Sequence, residues 1–175
     1  AAPEERLGHA AAPAMTLIEN TLITSHSEDV INQWGIINFY SVKEKTRDIV
    51  SEFDVRTPTL DNAAVSLSGG NLQKFVIGRE ILQKPLVLVV NQPTWGVDAA
   101  AAAFIRQSIL NLASQGSSVV VISQDLDELF EICDTFAVLT NGRLSKSHDI
   151  RSLSSEDIGL LMGGSDLDLK NHDKA

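Results

Sequence analysis

The feature that most constrains the fold is the continuous apolar run Leu86-Val87-Leu88-Val89-Val90, which a second run, Val119-Val120-Val121-Ile122, follows along the chain. Both runs are rich in β-branched residues without a polar alternation, as expected of strands buried on both faces of a parallel sheet. A helical segment over 99–114, closed by Gly116, separates them, and 135–139 is predicted to be a third strand. Strands that alternate with helices indicate an α/β fold with right-handed crossovers.

The stretch before the first strand is predicted to be mostly helical. Its apolar residues recur with the spacing of amphipathic helices. Arg56-Thr57-Pro58-Thr59 interrupts this spacing because proline disfavours helical geometry in the residue before it. The helices predicted from the spacing lie near 17–22, 30–40, 43–53 and 72–83.

Turn and cap signals mark the chain beyond the second strand. Asn141-Gly142 is a strong β-hairpin turn that leads into Arg143-Leu144-Ser145. Ser154 is a candidate N-cap for a last short helix. The tail from Gly163 to Ala175 is polar, and we expect it to be disordered.

Charge and composition narrow the class of protein. The chain has 14 Lys and Arg against 23 Asp and Glu, a net charge of −9, whereas nonspecific nucleic-acid binding needs clustered cations. We therefore expect no nucleic-acid partner. No signal-peptide pattern or membrane-length apolar run is visible, and Cys133 alone cannot form an internal disulfide. These features predict a cytosolic chain that reaches a membrane only through a partner.

The most informative segment is Leu67-Ser68-Gly69-Gly70-Asn71-Leu72-Gln73-Lys74, which leads from a Ser-Gly-Gly turn into a predicted helix. A serine and two glycines at this position let backbone N–H groups approach an anion, and the helix N-terminus adds partial positive charge. The segment is therefore a candidate phosphate-binding loop. Because Ser-Gly-Gly is also common in ordinary turns, the segment taken alone leaves that alternative open.

Polar clusters follow both predicted strands. Asn91-Gln92-Pro93-Thr94-Trp95-Gly96-Val97-Asp98 comes after the first run, and Ser123-Gln124 after the second. The carboxyl ends of parallel strands are where open α/β sheets bind ligands. No base is positioned to activate Ser123, so a strand-end loop is favoured there over a catalytic nucleophile.

In this order and spacing, the three segments resemble the ATP-binding-cassette ATPases. The matching positions are the family signature at 67–71, the Walker B strand at 86–92, the D-loop at 96–98 and the switch position at Gln124. Pro3-Glu4-Glu5-Arg6 looks like the Q-loop region, with Glu4 at the glutamine position. The sequence looks most like the C-terminal part of the second cassette of importers for simple sugars and nucleosides, which carry two cassettes in one polypeptide.

The resemblance implies an incomplete P-loop NTPase core with parallel strands, plus a helical subdomain that carries the signature. The implied division is a Q-loop remnant at 1–12, the helical subdomain at 13–85, the C-terminal part of the core at 86–163 and a polar tail at 164–175. ATP and Mg²⁺ are the implied ligands of the full-length protein, and we do not expect them bound to this segment alone. The implied nucleotide-binding residues are Ser68, Gly69, Gly70, Asn71, Asp98 and Glu4.

The departures from the family pattern are also informative. No Gly-x-x-x-x-Gly-Lys-Ser/Thr motif occurs, as expected of a cassette cut downstream of its phosphate-binding loop. Asn91 stands at the magnesium-holding acid, Gln92 at the catalytic carboxylate and Gln124 at the switch histidine. The resemblance therefore implies a degenerate Walker side beside an intact signature, which would complete the site of the first cassette.

The implied function is ATP-driven uptake of a sugar or nucleoside by the parent protein, an ATP hydrolase at the cytoplasmic face of the membrane. Permease subunits and the first cassette are the implied partners, with a solute-binding protein as an indirect one, and the segment alone is expected to be inactive. Two alternatives remain open. One is an inactive scaffold or regulatory cassette, and the other is a soluble cassette ATPase outside transport, which would favour a basic surface.

Overall fold

The computed structural model describes residues 1–25, 30–31 and 35–164. The chain divides into two compact units, Ala1–Gln124 and Asp125–Ala175. The subdomain division at Pro85 stays a prediction, and the polar tail from 165 onward lies outside the described residues. In the described part, no helix is both long and apolar enough to span a bilayer.

The helices of the first unit start at capping side chains. Thr16, Asn38, Ser68 and Asp98 each accept a hydrogen bond from a backbone N–H in the first helical turn, which stabilises a helix N-terminus. The α-helices among the described residues of this unit are α1 (Leu17–Leu22), α2 (Phe39–Glu52), α3 (Gly69–Leu82) and α4 (Ala99–Ser114). The helices predicted near 17–22, 43–53, 72–83 and 99–114 are confirmed, although α2 and α3 begin about one turn earlier.

The helix predicted over 30–40 is wrong in its described part. Ile31 forms an antiparallel bridge with Ile37, and Gly35 between them has φ +75°, a conformation that glycine adopts without steric cost. Asn38 then caps α2. Of the described residues in this stretch, 30–31 and 35–38 are not helical, and only Phe39 and Tyr40 are, as the start of α2. Trp34 lies outside the described residues.

The predicted parallel pairing of two strands is confirmed. β1 (Val87–Asn91) and β2 (Ser118–Ile122) pair in register from Val87 opposite Ser118 to Asn91 opposite Ile122. Ala2 adds a bridge on the other side of β1, because its N–H donates to the Val89 carbonyl at 2.9 Å and its carbonyl accepts from Asn91 N–H at 2.8 Å. The N-terminal segment is thereby placed beside the carboxyl end of β1.

The expectation that both strands are buried on both faces is wrong. Leu88 and Val90 are fully buried, but Val87 on the opposite face is 62% exposed, and Val120 and Ile122 of β2 are each 50% exposed. Each of these three residues is at least half exposed, so this second face is largely open to solvent. We call it the open sheet face.

An aromatic contact fixes α3 against its neighbours. The Phe53 ring, just after α2, meets the Phe104 ring of α4 edge to face with centroids 5.2 Å apart. A Cβ built at Gly78 of α3 would lie 2.6 Å from the Phe53 ring, which is closer than packed atoms approach. The small residue at position 78 therefore lets α2, α3 and α4 pack together.

The second unit contains short elements. Its helices are α5 (Leu126–Ile132) and α6 (Ser155–Met162); β3 (Thr135–Phe136) pairs antiparallel with β6 (His148–Asp149), and β4 (Leu139–Thr140) with β5 (Arg143–Leu144). The single third strand predicted over 135–139 is wrong, because Ala137 and Val138 interrupt it and the two halves take different partners. The predicted Asn141-Gly142 hairpin, with φ +48° and +73°, and the Ser154 cap are confirmed.

Candidate functional site

The loop at residues 67–71, hereafter the glycine loop, is held by side chains at both of its ends. Ser68 is extended, with φ −62° and ψ 154°, and caps α3. The side-chain amide of Asn71 donates from Nδ2 to the Ser68 hydroxyl at 2.9 Å, and its Oδ1 accepts from Arg56 N–H at 2.9 Å. Asn71 therefore ties the loop to itself and to the segment before it.

The two glycines place backbone N–H groups at the start of α3. The first helical bond runs from Leu72 N–H to the Ser68 carbonyl at 2.9 Å, so Gly69 and Gly70 precede it. N–H groups at this position have no partner within a helix and point beyond its N-terminus. They form a suitable site for a phosphate oxygen, which the helix dipole also favours.

The turn at residues 91–98, hereafter the strand-end turn, approaches the glycine loop closely. A Cβ at Gly70 would lie 3.0 Å from the Gly96 carbonyl oxygen, tighter than an ordinary contact. Gly96 itself has φ +69°, which favours glycine. Glycine at both positions therefore lets the first turn of α3 meet the strand-end turn backbone to backbone.

A buried amide, Gln73, also links α3 to the strand-end turn. Its Nε2 donates to the Gln92 carbonyl at 3.0 Å and to the Pro93 carbonyl at 2.7 Å, and the residue is only 2% exposed. This residue lies in the most informative segment of the sequence, but sequence reasoning assigned it no role in the site. A glutamine in a largely apolar helix was the available signal, because a buried amide needs partners.

Arg6 is a second residue that sequence reasoning missed as part of the site. Its Nε donates to Gln73 Oε1 at 2.7 Å, one terminal nitrogen donates to the Gly69 carbonyl at 3.2 Å, and the other donates to the Trp95 carbonyl. The pKa of this guanidinium lies below its ordinary value because burial disfavours the charged form. The resemblance of 3–6 to a Q-loop region was the only sequence signal.

The strand-end residues lie where the sequence places them. Asn91 ends β1 opposite Ile122, and Gln92 follows with φ +52° and is 9% exposed. Gln124 follows β2 and is exposed. Glu4, also exposed, comes two residues after the Ala2 bridge to Val90, so it leaves the sheet at this same carboxyl edge.

Asp98 is the carboxylate of the strand-end turn, and in this structure it is the N-cap of α4. Its side chain accepts from Ala101 N–H at 2.9 Å and caps α4. This backbone hydrogen bond, which favours the charged form, lowers the pKa of Asp98. The group is solvent-exposed, so a contact with a ligand is compatible with its capping role.

The strand-end amides do not fit a resident magnesium ion. Mg²⁺ is usually held through carboxylates and phosphates, whereas Asn91 and Gln92 offer neutral amide oxygens. Across the described ranges no group of three or more His, Cys, Asp or Glu side chains is placed to hold a metal. Asn91 and Gln92 therefore offer amide groups to a ligand and no acid that would hold a cation or accept a proton.

Together, the parallel strand ends and the glycine loop at a helix N-terminus define part of a nucleotide-binding α/β domain. A dimeric ATP-binding cassette bound to ADP and Pi superposes with a TM-score of 0.67 at 19% identity, covering 87% of this chain and 64% of that one. A nucleotide-free cassette from an ABC transporter gives 0.62 at 24% identity, covering 93% and 64%. These likenesses establish the fold.

Sequence comparison gives the family. The guanosine import ATP-binding protein NupO of Bacillus subtilis is 34% identical over 93% of this chain, and the nucleoside import ATP-binding protein NupA of Lactococcus lactis is 32% identical over 94%. The glucose import ATP-binding protein TsgD13 of Haloferax volcanii is 35% identical over 93%. The chain belongs to the ATP-binding-cassette ATPases.

The match is to a part of each relative. The chain spans about one third of the length of these curated relatives, 32% of NupO, 33% of NupA and 30% of TsgD13. No family model matches the chain. The activity, substrates and partners of a whole relative therefore reach this chain only by inference.

Proposed function

We propose that this chain is the C-terminal part of the second cassette of an ATP-driven importer and that its glycine loop binds the triphosphate of ATP. The observation that carries the proposal is the start of α3, where Ser68 and Asn71 fix the loop while the N–H groups of Gly69 and Gly70 precede the first helical bond. In the cassette family this loop faces a nucleotide held by the partner cassette. The loop would then complete a site whose acid and base lie elsewhere in the parent polypeptide.

The strand-end residues support an asymmetric pair of sites. Asn91 and Gln92 lack the carboxylates of a complete cassette, and loss of a general base alone costs about 10²- to 10⁴-fold in rate. Gln124 likewise cannot act as a histidine does. In our proposal this half holds its own ATP as a structural or regulatory ligand, while its glycine loop serves the active site of the first cassette.

The solute class follows from the relatives. Their names include guanosine, nucleoside and glucose import, so we propose a nucleoside or simple sugar. The proposed partners are the first cassette of the same polypeptide, permease subunits and, indirectly, a solute-binding protein, with the parent protein at the cytoplasmic face of the membrane. The net charge of −9 supports an assembly without nucleic acid.

The decisive experiment places a negative charge in the glycine loop of a polypeptide of the relatives' full length. Ser68→Asp keeps a good N-cap but repels phosphate, so we expect ATP turnover to fall on the order of 10²-fold with the melting temperature unchanged. Asn38→Asp, which puts the same charge at the cap of α2, is the matched control and should leave turnover unchanged. Unchanged turnover in Ser68→Asp refutes the proposal.

An inactive scaffold or regulatory cassette is the second candidate, and the neutral Asn91 and Gln92 favour it. Calorimetric titration of ATP with Mg²⁺ separates the candidates when this chain is compared with a version extended to the relatives' length. ATP binding and hydrolysis by the extended form alone support the importer ATPase. Binding without hydrolysis by the extended form, even when Asn91 and Gln92 are changed to Asp and Glu, supports the scaffold.

A further inference from the structure

The Arg6 guanidinium joins three separate segments of the first unit. Its three nitrogen atoms donate hydrogen bonds to Gln73 in α3, to the Gly69 carbonyl in the glycine loop and to the Trp95 carbonyl in the strand-end turn. These partners lie 67, 63 and 89 residues away along the chain. A planar fork of five N–H donors can serve three acceptors at once, whereas a lysine ammonium is a single point of attachment.

Two glycines make room for the guanidinium. A Cβ at Gly69 would lie 3.1 Å from one terminal nitrogen of Arg6, and a Cβ at Gly96 would lie 3.3 Å from the other. Both distances are shorter than most Cβ contacts. Gly69 and Gly96 therefore leave space for the guanidinium, while Gly70 allows the backbone approach to Gly96.

Gln73 extends the same network to the end of β1. It accepts from Arg6 Nε and donates to the carbonyls of Gln92 and Pro93. The resulting chain of bonds runs from the N-terminal segment through α3 to the strand-end turn. No carboxylate pairs with Arg6 among the described residues, so backbone and amide dipoles alone hold the cation.

We propose that Arg6 is a positioning residue that holds the glycine loop in register with the strand-end turn, so that the loop presents its N–H groups to the nucleotide at the active site of the first cassette. This inference rests on the proposed function. Arg6 itself touches backbone and Gln73, so it acts through the N–H groups of Gly69 and Gly70. A loop displaced by about 1 Å would lose much of its alignment with a phosphate.

The test is Arg6→Lys, which keeps the charge and removes the fork, in the polypeptide of the relatives' length. We expect kcat for ATP to fall about tenfold and backbone amide exchange to rise at Asn71, Leu72, Trp95 and Val97, with other protected amides unchanged. Arg47→Lys is the matched control, because Arg47 lies exposed on α2 and pairs only with Glu44 among the described residues. It should change neither readout.

A second variant keeps the test independent of any loss of folding by the first. Gln73→Met is nearly isosteric and removes the same network from the other side. If Arg6 acts through this network, the double variant should lose little more than either single one, since residues of one network are non-additive. Additive losses, or a general rise in amide exchange across α2 and α4, would overturn the positioning role.

Failure of this inference can be told apart from failure of the proposed function. If Ser68→Asp abolishes turnover while Arg6→Lys leaves turnover and local exchange unchanged, only the role of Arg6 is wrong. If Ser68→Asp also leaves turnover unchanged, the glycine loop does not serve ATP hydrolysis, and the role of Arg6 in that reaction is wrong with it.

Discussion

The glycine loop and the strand-end turn meet at Gly70 and Gly96, and the proposed function assigns them different parts of the cassette pattern. In the glycine loop, Ser68 and Asn71 are tied by hydrogen bonds to each other, and we propose that they belong to an intact signature. In the strand-end turn, we propose that Asn91 and Gln92 stand where a complete cassette has two acids. The glycine loop would then retain donors for an anion, whereas the strand-end turn would lack these two proton acceptors.

This difference shows that ligand contacts made by backbone groups are harder to lose by substitution than contacts made by side chains. The donors of the glycine loop are backbone N–H groups, and the glycines that expose them also allow the close packing of Gly70 on Gly96. A change there alters the packing as well as the ligand contact. The acids that a complete cassette has at the strand end would act through their side chains. An amide has nearly the same shape as a carboxylate, so replacing one by the other can remove the acid–base chemistry without changing the backbone.

The largest expected effect breaks or confirms this contrast directly. Gly70→Ala should lower ATP turnover of the full-length polypeptide about 10²-fold, because the added methyl would meet the Gly96 carbonyl at 3.0 Å and displace the donors. Gln92→Asn should change turnover less than about twofold, since neither amide accepts a proton. Steady-state ATPase assays measure both, and similar losses in the two variants would contradict the contrast.

A gain of function gives the next largest effect. Asn91→Asp combined with Gln92→Glu restores both carboxylates, and we expect turnover at this cassette's own site to rise about tenfold, less than a complete acid–base site because Gln124 remains. The assay is Mg²⁺-dependent ATPase with the first cassette's base removed. Gln107→Glu with Asn111→Asp makes the same changes on the exposed side of α4 and should have no effect. A gain in this control pair would point to net charge instead.

A stability measurement tests the rigid support of α3. Gly78→Ala forces a methyl to within 2.6 Å of the Phe53 ring, and overpacking of this kind costs about 1–3 kcal/mol. Gly159→Ala in α6, where nothing lies within 4 Å of the added Cβ, should stabilise by about 0.5–1 kcal/mol through helix propensity. Urea unfolding gives both values. A neutral Gly78→Ala would show that α3 can shift and that the glycine loop is less fixed than its contacts indicate.

The smallest expected effect concerns Asp98, the acid that the strand-end turn retains. Its folded-state pKa lies below the ordinary value of 3.8, so its contribution to stability is complete above that value and declines as pH falls toward the folded pKa. Asp98→Asn keeps a good cap without this titration. The melting temperature should therefore fall less steeply between about pH 5 and pH 3 in the variant than in the parent protein. An identical slope would show that Asp98 does not titrate with folding.

Local signals carried most of the successful predictions. The cap at Ser154 and the turn at Asn141-Gly142 depend on residues within a few positions of one another, so their sequences specify them. The same holds for the apolar runs of β1 and β2. The helix expected over 30–40 failed although its signals are local, since Gly35 with its positive φ and the Asn38 cap lie within the stretch. The strand expected over 135–139 failed because its two halves pair with different strands.

The candidate site shows the same limit. The glycine loop and the strand-end amides could be found from residue types in order. The links between them could not, because Arg6 and Gln73 lie 67 residues apart and neither residue type marks a partner. The open sheet face was missed for a related reason, since apolar sequence reports what can be buried and not which elements are present to bury it.

The open sheet face has a consequence for the self-association of the chain in solution. Val87, Val120 and Ile122 present an apolar strip to water, and exposed strips beside strand edges drive self-association. The net charge of −9 at pH 7 opposes this by repulsion between copies. That protection weakens with added salt and vanishes near the isoelectric point of 4.8. Dilute, low-salt and mildly alkaline buffers are therefore the conditions in which single copies should persist longest.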